Sequence, residues 1–170
     1  SYQLEYSKLF KARFVAILNI SPDHLERHGK LQNYIKAKFK IINNQSNKDV
    51  AFLNTKNLYI KREIKKNKIL SKIIKINKDI DFNILNKIDN PYFLSEGNKE
   101  NLSFVFEILK KFNIKKNNFF KTLKNFNGLK YRQQIIYRSK KLTIINDSKS
   151  TSYSSSISIL KSFSNVYWIV

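Results

Sequence analysis

RFVAILNISPDHLERHG, residues 13–29, decides the fold. Its first half, residues 13–20, is short and almost wholly apolar, the pattern of a strand buried on both faces. Pro22 blocks continuation of that strand and opens a loop. The polar residues Asp23, His24, Glu26 and His28 then sit at the C-terminal end of the strand, where open α/β sheets gather their ligand sites. Asp and Glu offer oxygen ligands and His offers imidazole. A loop whose polar side chains only cap the next helix gives the same pattern, and the residues alone leave both readings open.

Working outward, residues 31–42 carry helical spacing, with Leu31, Tyr34, Ile35 and Ile42 on one face. Lys38 falls on that apolar stripe, whereas Lys36 and Lys40 fall on the polar face. A lysine carried into a buried face should lose basicity. Its neutral amine could then take up carbon dioxide as a carbamate and become an oxygen ligand for Mg²⁺. A lysine that packs its stem and sends its head to water fits the same spacing. Residues 49–53 and 72–76 read as strands, with a short helix around residues 56–66 between them. Residues 1–5 read as a strand end or the loop after it. Asn98 can cap a helix with an apolar face of Leu102, Val105, Phe106, Leu109 and Phe112. Residues 115–126 form a second helix that stops at Asn127-Gly128.

The pattern changes after Gly128. Residues 133–137 and 142–145 read as strands, followed by the polar loop NDSKSTS (residues 146–152). Next come a helix through Tyr153, Ile157, Leu160 and Ser164 and a strand from Val166 onward. This β-loop-α-β order begins an α/β domain and places a boundary near Gly128. Ser148, Ser150 and Thr151 can cap the helix, and free N–H groups there suit an anion, as does Lys149. A capped helix start with a solvated lysine accounts for the loop equally well.

The bulk composition narrows the function classes. The chain has 170 residues, no Cys, and no apolar run long enough to span a bilayer. There is no secretory signal pattern, so a cytoplasmic location is expected. Lys and Arg total 33 against 12 Asp and Glu, a net charge of +21. The excess is lysine, with Arg only at residues 13, 27, 62, 132 and 138, and Asn and Ile rise with it. An A+T-rich genome explains that joint enrichment better than a nucleic-acid surface, which leans on arginine. Neither nucleic acid nor membrane is therefore expected as a partner. Both chain ends read as cuts through a longer protein.

Taken in order, SYQLE (residues 1–5), NISPDHLERHG (residues 19–29) with YIKAK (residues 34–38), EGNKEN (residues 96–101), GLKYR (residues 128–132) and NDSKST (residues 146–151) resemble the Mur ligase family. The matching family patterns are SS-aromatic-QLE, DHL-D-RH-G with Y-x-x-AK, G-x-HN-x-x-N, GL-x-HR and NDSKATN. The resemblance covers essentially the whole chain, and the joint order is specific although each motif alone is not. Its QLE and NDSK elements are similar to those of the D-glutamate-adding members. The sequence departs from the patterns at Glu26, Gly97, Tyr131, Ser150 and Ser152.

The resemblance implies an α/β fold. Residues 1–128 would be part of the family's central ATPase domain, a mostly parallel sheet with flanking helices. Residues 129–170 would begin its Rossmann-like, amino-acid-binding C-terminal domain. It implies an ATP-dependent amide ligase that joins D-glutamate to UDP-N-acetylmuramoyl-L-alanine with two Mg²⁺ ions, monomeric at full length. Carried over by position, His24 and a carbamylated Lys38 would be catalytic and hold a metal ion. Asn98 and Asn101 would lie near the adenine, and Arg132 and Asp147 would contact ATP. Gln3 would lie near the muramoyl substrate, and Lys149 and Thr151 would hold D-glutamate. The family's phosphate loop, GxxGK[ST], lies upstream of the QLE motif, so this piece alone is expected to be inactive. Another Mur-type amino-acid ligase is the nearest alternative. A basic nucleic-acid-binding protein is a further one, and it would need neither His24 nor Lys38.

Overall fold

The computed structural model describes residues 2–23, 25–151 and 153–169. The chain is α/β and divides into two compact units, residues 1–78 and 79–170.

The first unit runs α1 (Tyr2–Tyr6), β1 (Phe14–Ile17), α2 (Leu25–His28), α3 (Leu31–Asn43), β2 (Val50–Asn54), α4 (Leu58–Lys66) and β3 (Lys72–Ile76). The three strands form one parallel sheet in the order β1-β2-β3, with Val15 beside Ala51 and Ala51 beside Ile73. Parallel neighbours need a crossover, which α3 and α4 supply. Val15, Ile17, Ala51 and Leu53 share one core with Tyr34, Ile35, Phe39 and Ile42 of α3 and Ile60 of α4. Every residue of the central strand β2 is buried. The strand after which the candidate loop begins differs from expectation. β1 lies at the sheet edge and buries only Val15 and Ile17, while Ala16 is exposed. Burial on both faces requires cover on both, and here β2 has it rather than β1.

Polar side chains fix the strand ends. Buried Gln45 donates to the carbonyls of Ala12 at 2.9 Å and Val50 at 3.3 Å. Asp49 accepts from the Ser46 backbone N–H at 2.7 Å and its hydroxyl at 2.8 Å, and Lys11 lies 3.2 Å away. These bonds hold the Asp49 carboxyl below its ordinary pKa, the backbone bond first, the hydroxyl next and Lys11 after it, against the opposing effect of burial.

The second unit runs α5 (Phe82–Ile88), a 3-10 turn (Pro91–Leu94), α6 (Glu96–Lys111), α7 (Lys116–Lys124), β4 (Gln134–Arg138), β5 (Thr143–Asn146) and α8 (Tyr153–Leu160). Ile88, Phe93, Leu102, Phe119 and Leu123 build its core. β4 and β5 make an antiparallel pair with an irregularity between Ile135 and Tyr137. Gly128 falls inside this unit.

Four local expectations change. Residues 2–6 are helical rather than strand or loop. Ser95, not Asn98, caps α6, its hydroxyl accepting from the Asn98 N–H at 3.3 Å. Of the expected apolar face, Val105 and Phe112 are exposed, while Phe104 is buried. Residues 166–169 form no strand, since a strand exists only with a partner for its backbone groups.

Candidate functional site

Two clusters carry the motif residues, one in each unit. In the first, the loop after β1 is tied down from β2 and the turn before α4. Asn54 donates to the Leu18 carbonyl and Asn57 to the Ile20 carbonyl, each at 2.8 Å. Asn57 also caps α4, accepting from the N–H groups of Tyr59 and Ile60. Ile20 is anchored in the core at 2% exposure. Two buried or half-buried amides thus hold the Asn19–Ile20 backbone at the C-terminal end of the sheet.

α1 is the second support. Arg27 of α2 donates to the Tyr6 hydroxyl and lies 3.5 Å from the Glu5 carboxylate. Tyr6 first, then Glu5, raise the guanidinium pKa above its ordinary value, so Arg27 is a fixed cation. His28 is buried, with Nδ1 4.0 Å from Glu5 Oε2. Its ring lies 5.9 Å from that of Tyr2 and 5.3 Å from that of Tyr34. That same Glu5 oxygen is buried and accepts no hydrogen bond among the described residues. Lys40 donates to the Glu5 carbonyl at 2.5 Å. The QLE segment is therefore seated on α2 and α3 through Glu5, while Gln3 itself stays exposed.

Lys38 is half-buried, not enclosed. Its Nζ lies 3.5 Å from the Asn19 carbonyl and 4.8 Å from the centre of the Tyr34 ring. It edges a hollow of about 240 Å³ that Leu4, Ala16, Asn19 and Ile41 also line. The burial expected from its place on the stripe is only partial: the stem follows the apolar face and the head reaches the rim of the sheet. His24 lies outside the described residues. Among the described residues no three His, Cys, Asp or Glu side chains group as a metal site. An ammonium repels a divalent cation, so this corner suits Mg²⁺ only with Lys38 as a carbamate. The Asn19 carbonyl beside it is the kind of hard oxygen such an ion takes.

In the second unit, Asn98 is buried and its amide donates to the Tyr92 carbonyl at 2.7 Å and Gln133 Oε1 at 3.0 Å. Asn101, one turn on, is exposed. Asp147 accepts from the Gln133 N–H at 3.0 Å and the Ser150 hydroxyl at 2.8 Å. The Lys149 N–H donates to the Tyr131 carbonyl at 3.1 Å, and its Nζ lies 5.8 Å from the centre of that ring. Burial raises the Tyr92 phenol pKa, with Arg132 opposing and Asp147 adding to the shift. Asn98, Arg132, Asp147 and Lys149 thus lie in one network. Arg132, Lys149 and Thr151 keep exposed side chains, and Ser152 lies outside the described residues.

Sequence reasoning missed Gln133, which joins the start of α6 to the loop after β5, and also missed the anchoring amides Asn54 and Asn57. Asn57 did carry a local signal, an Asn at the N-cap of α4; the tertiary bonds that make these three residues matter run to groups about 35 or more residues away and leave no mark in spacing.

Residues 2–117 match the family described as the Mur ligase middle domain. The chain belongs to the Mur ligase family. It is 31% identical to the UDP-N-acetylmuramoylalanine--D-glutamate ligase of Natranaerobius thermophilus over 99% of this chain and 40% of that protein. It is 29% identical to the ligase of the same name from Rickettsia felis, over 99% of this chain and 41% of that one. The chain therefore spans about two fifths of the length of these curated relatives. The solved structure of MurF from Acinetobacter baumannii superposes with a TM-score of 0.65 at 16% identity, covering 88% of this chain and 37% of that one, a likeness of fold. As a Mur ligase segment, the chain brings described residues of its QLE, LERH and YIKAK stretches together: Glu5 beside Arg27 and His28, and Lys38 beside the Asn19 carbonyl after β1. No helix among the described residues is long and apolar enough to cross a membrane.

Proposed function

We propose that the protein is an ATP-dependent ligase that joins D-glutamate to UDP-N-acetylmuramoyl-L-alanine in peptidoglycan synthesis. The observation that carries this reading is chain-long similarity to ligases of that name: 99% of the chain aligns, the Asn146–Thr151 loop included. In the reaction, a carboxylate oxygen of the muramoyl substrate attacks the γ-phosphorus of ATP and ADP leaves, giving an acyl phosphate. The D-glutamate amine attacks the acyl carbon, a proton and inorganic phosphate depart, and the amide remains. Transfer of this kind is chiefly positioning and charge neutralisation.

The chain's residues divide that work. Gln3 on α1 faces the muramoyl substrate. Lys38, as a carbamate, and His24 would hold a Mg²⁺ ion. Asn98 and Asn101 border the adenine, Arg132 and Asp147 contact the nucleotide, and Lys149 and Thr151 hold D-glutamate, Lys149 against one of its carboxylates. Two Mg²⁺ ions, when bound, supply the charge that offsets the phosphates and the substrate carboxylate. Residues 1–128 then belong to the ATP-binding domain, and 129–170 begin the amino-acid-binding one. The working protein is a cytoplasmic monomer in this reading.

The test is phosphate release by the full-length protein from ATP and UDP-N-acetylmuramoyl-L-alanine. Release that depends on D-glutamate supports the reading. Release driven equally by another amino acid would point to a different Mur-type specificity, and none with any amino acid would refute it.

A further inference from the structure

Arg132 is held from both sides by the loop after β5. Its neighbours Tyr131 and Gln133 both take left-handed backbone angles, φ 65° and 48°. Such angles are disfavoured for residues with side chains and persist only where surrounding bonds hold them. Those bonds are present. The Tyr131 carbonyl accepts from the Lys149 N–H at 3.1 Å, and the Gln133 N–H donates to Asp147 Oδ1 at 3.0 Å. The backbone on both sides of Arg132 and the Asp147–Lys149 loop are therefore joined into one hydrogen-bonded piece.

The Gln133 side chain extends this piece to a third segment. Its Oε1 accepts from the Ser95 hydroxyl at 2.5 Å and from Asn98 Nδ2 at 3.0 Å. The opposite amide orientation would set two NH₂ groups against each other, so the acceptor role is fixed. Ser95 is the cap of α6, and Asn98 is already committed to the Tyr92 carbonyl at 2.7 Å. One acceptor shared by two buried donors, the cap hydroxyl and the Asn98 amide, is a costly thing to remove.

We propose that the Gln133 carboxamide is a positioning residue: it locks Arg132 and Asp147 to the Ser95–Asn98 start of α6 and thereby shapes the nucleotide site. This rests on the reading of Arg132, Asp147 and Asn98 as nucleotide contacts. Gln133 itself touches no substrate in this account. Without its oxygen, the loop and the helix start lose their common acceptor, and the nucleotide meets two segments no longer in register. The muramoyl substrate, bound beside Gln3 in the other unit, is unaffected.

The experiment uses the full-length protein with Gln133→Met, which keeps length but loses the acceptor, and Gln133→Glu, which keeps the acceptor. Gln133→Asn, whose acceptor is withdrawn by one methylene, is read in the same way should the Met variant not fold. Leu123→Val, in the core of the same unit, is the control for general loosening. Binding of a non-hydrolysable ATP analogue with Mg²⁺ is measured by calorimetry, alongside KM for each substrate and kcat. Gln133→Met weakens analogue binding and raises the KM for ATP about tenfold, the equivalent of one or two lost hydrogen bonds. The KM for the muramoyl substrate stays within error, and Gln133→Glu recovers most of the loss. Wild-type-like nucleotide binding by Gln133→Met overturns the proposal. So does equal weakening by Gln133→Met, Gln133→Glu and Leu123→Val, which would reflect stability alone. If the wild type binds the analogue but transfers nothing to D-glutamate, the ligase reading fails while the comparison of Gln133 variants still decides this one. If the wild type binds no nucleotide, both fall.

Discussion

Replacing Gly128 with alanine should destabilise the second unit through two separable effects. The first is the backbone: φ is +74°, a left-handed angle, and a Cβ there costs about 1–2 kcal/mol. The second is space. The new Cβ would lie 2.3 Å from Tyr92 Cε2 and 2.7 Å from Cδ2. The Tyr92 ring is boxed edge-on by Phe93 at 5.3 Å and Phe126 at 5.2 Å, so it cannot swing aside without disturbing both. Overpacking of this kind costs about 1–3 kcal/mol. Lower entropy in the unfolded chain returns about 0.4–1 kcal/mol. The net loss is about 2–4 kcal/mol, which in a chain of this size lowers the melting temperature by roughly 5–12 °C. Gly29→Ala is the built-in control: its φ is +69°, but nothing lies within 4 Å of its Cβ. It should lose only the backbone part, about 1 kcal/mol. Melting followed by circular dichroism on both variants separates the terms, and in a Tyr92→Ala background Gly128→Ala should also fall to about 1 kcal/mol. Equal losses for Gly128→Ala and Gly29→Ala in the parent would refute the packing argument.

Three further outcomes are expected. Asn57→Ala removes the cap of α4 and the bond to the Ile20 carbonyl, and should cost about 1.5–3 kcal/mol in urea unfolding; a loss under 0.5 kcal/mol would mean that the loop after β1 is held by other means. Asp49 has a folded pKa below its unfolded value of 3.8, so its contribution is present above that pH and is lost as pH falls through the folded pKa; Asp49→Asn should flatten the acid side of the stability curve between pH 4 and lower values, and identical slopes for the two proteins would contradict the assignment. In the full-length protein, Lys38→Ala should cut ligase activity by about 10²-fold or more, with partial recovery on adding a short carboxylate; unchanged activity in the plain variant would remove the carbamate from the mechanism.

Much of the fold was legible because it rests on local pattern. Short apolar runs marked β2 and β3, and apolar residues at helical spacing marked α3 and α4, to within a residue or two. The helices at residues 2–6 and 82–88 were not legible, since each is too short to show a period and forms on a surface the rest of the chain supplies. The site divides in the same way. Motif order pointed to Lys38, Asn98, Arg132, Asp147 and Lys149, because the chemistry of each residue type is local to it.

Residue pattern alone carried the family resemblance, the β-α-β-α-β order of residues 14–76, and which residue types stand at the C-terminal end of the first strand. Only the tertiary structure decided that β2 and not β1 is buried on both faces, because burial depends on what neighbours cover and not on a strand's own residues. It alone decided that Lys38 stops at the rim of the sheet and that Asn98 turns its amide inward. It also made Gln133 the common acceptor of Ser95 and Asn98. Such partners lie far apart in the chain, and a hydrogen bond has a reach of about 3 Å that no one-dimensional pattern encodes.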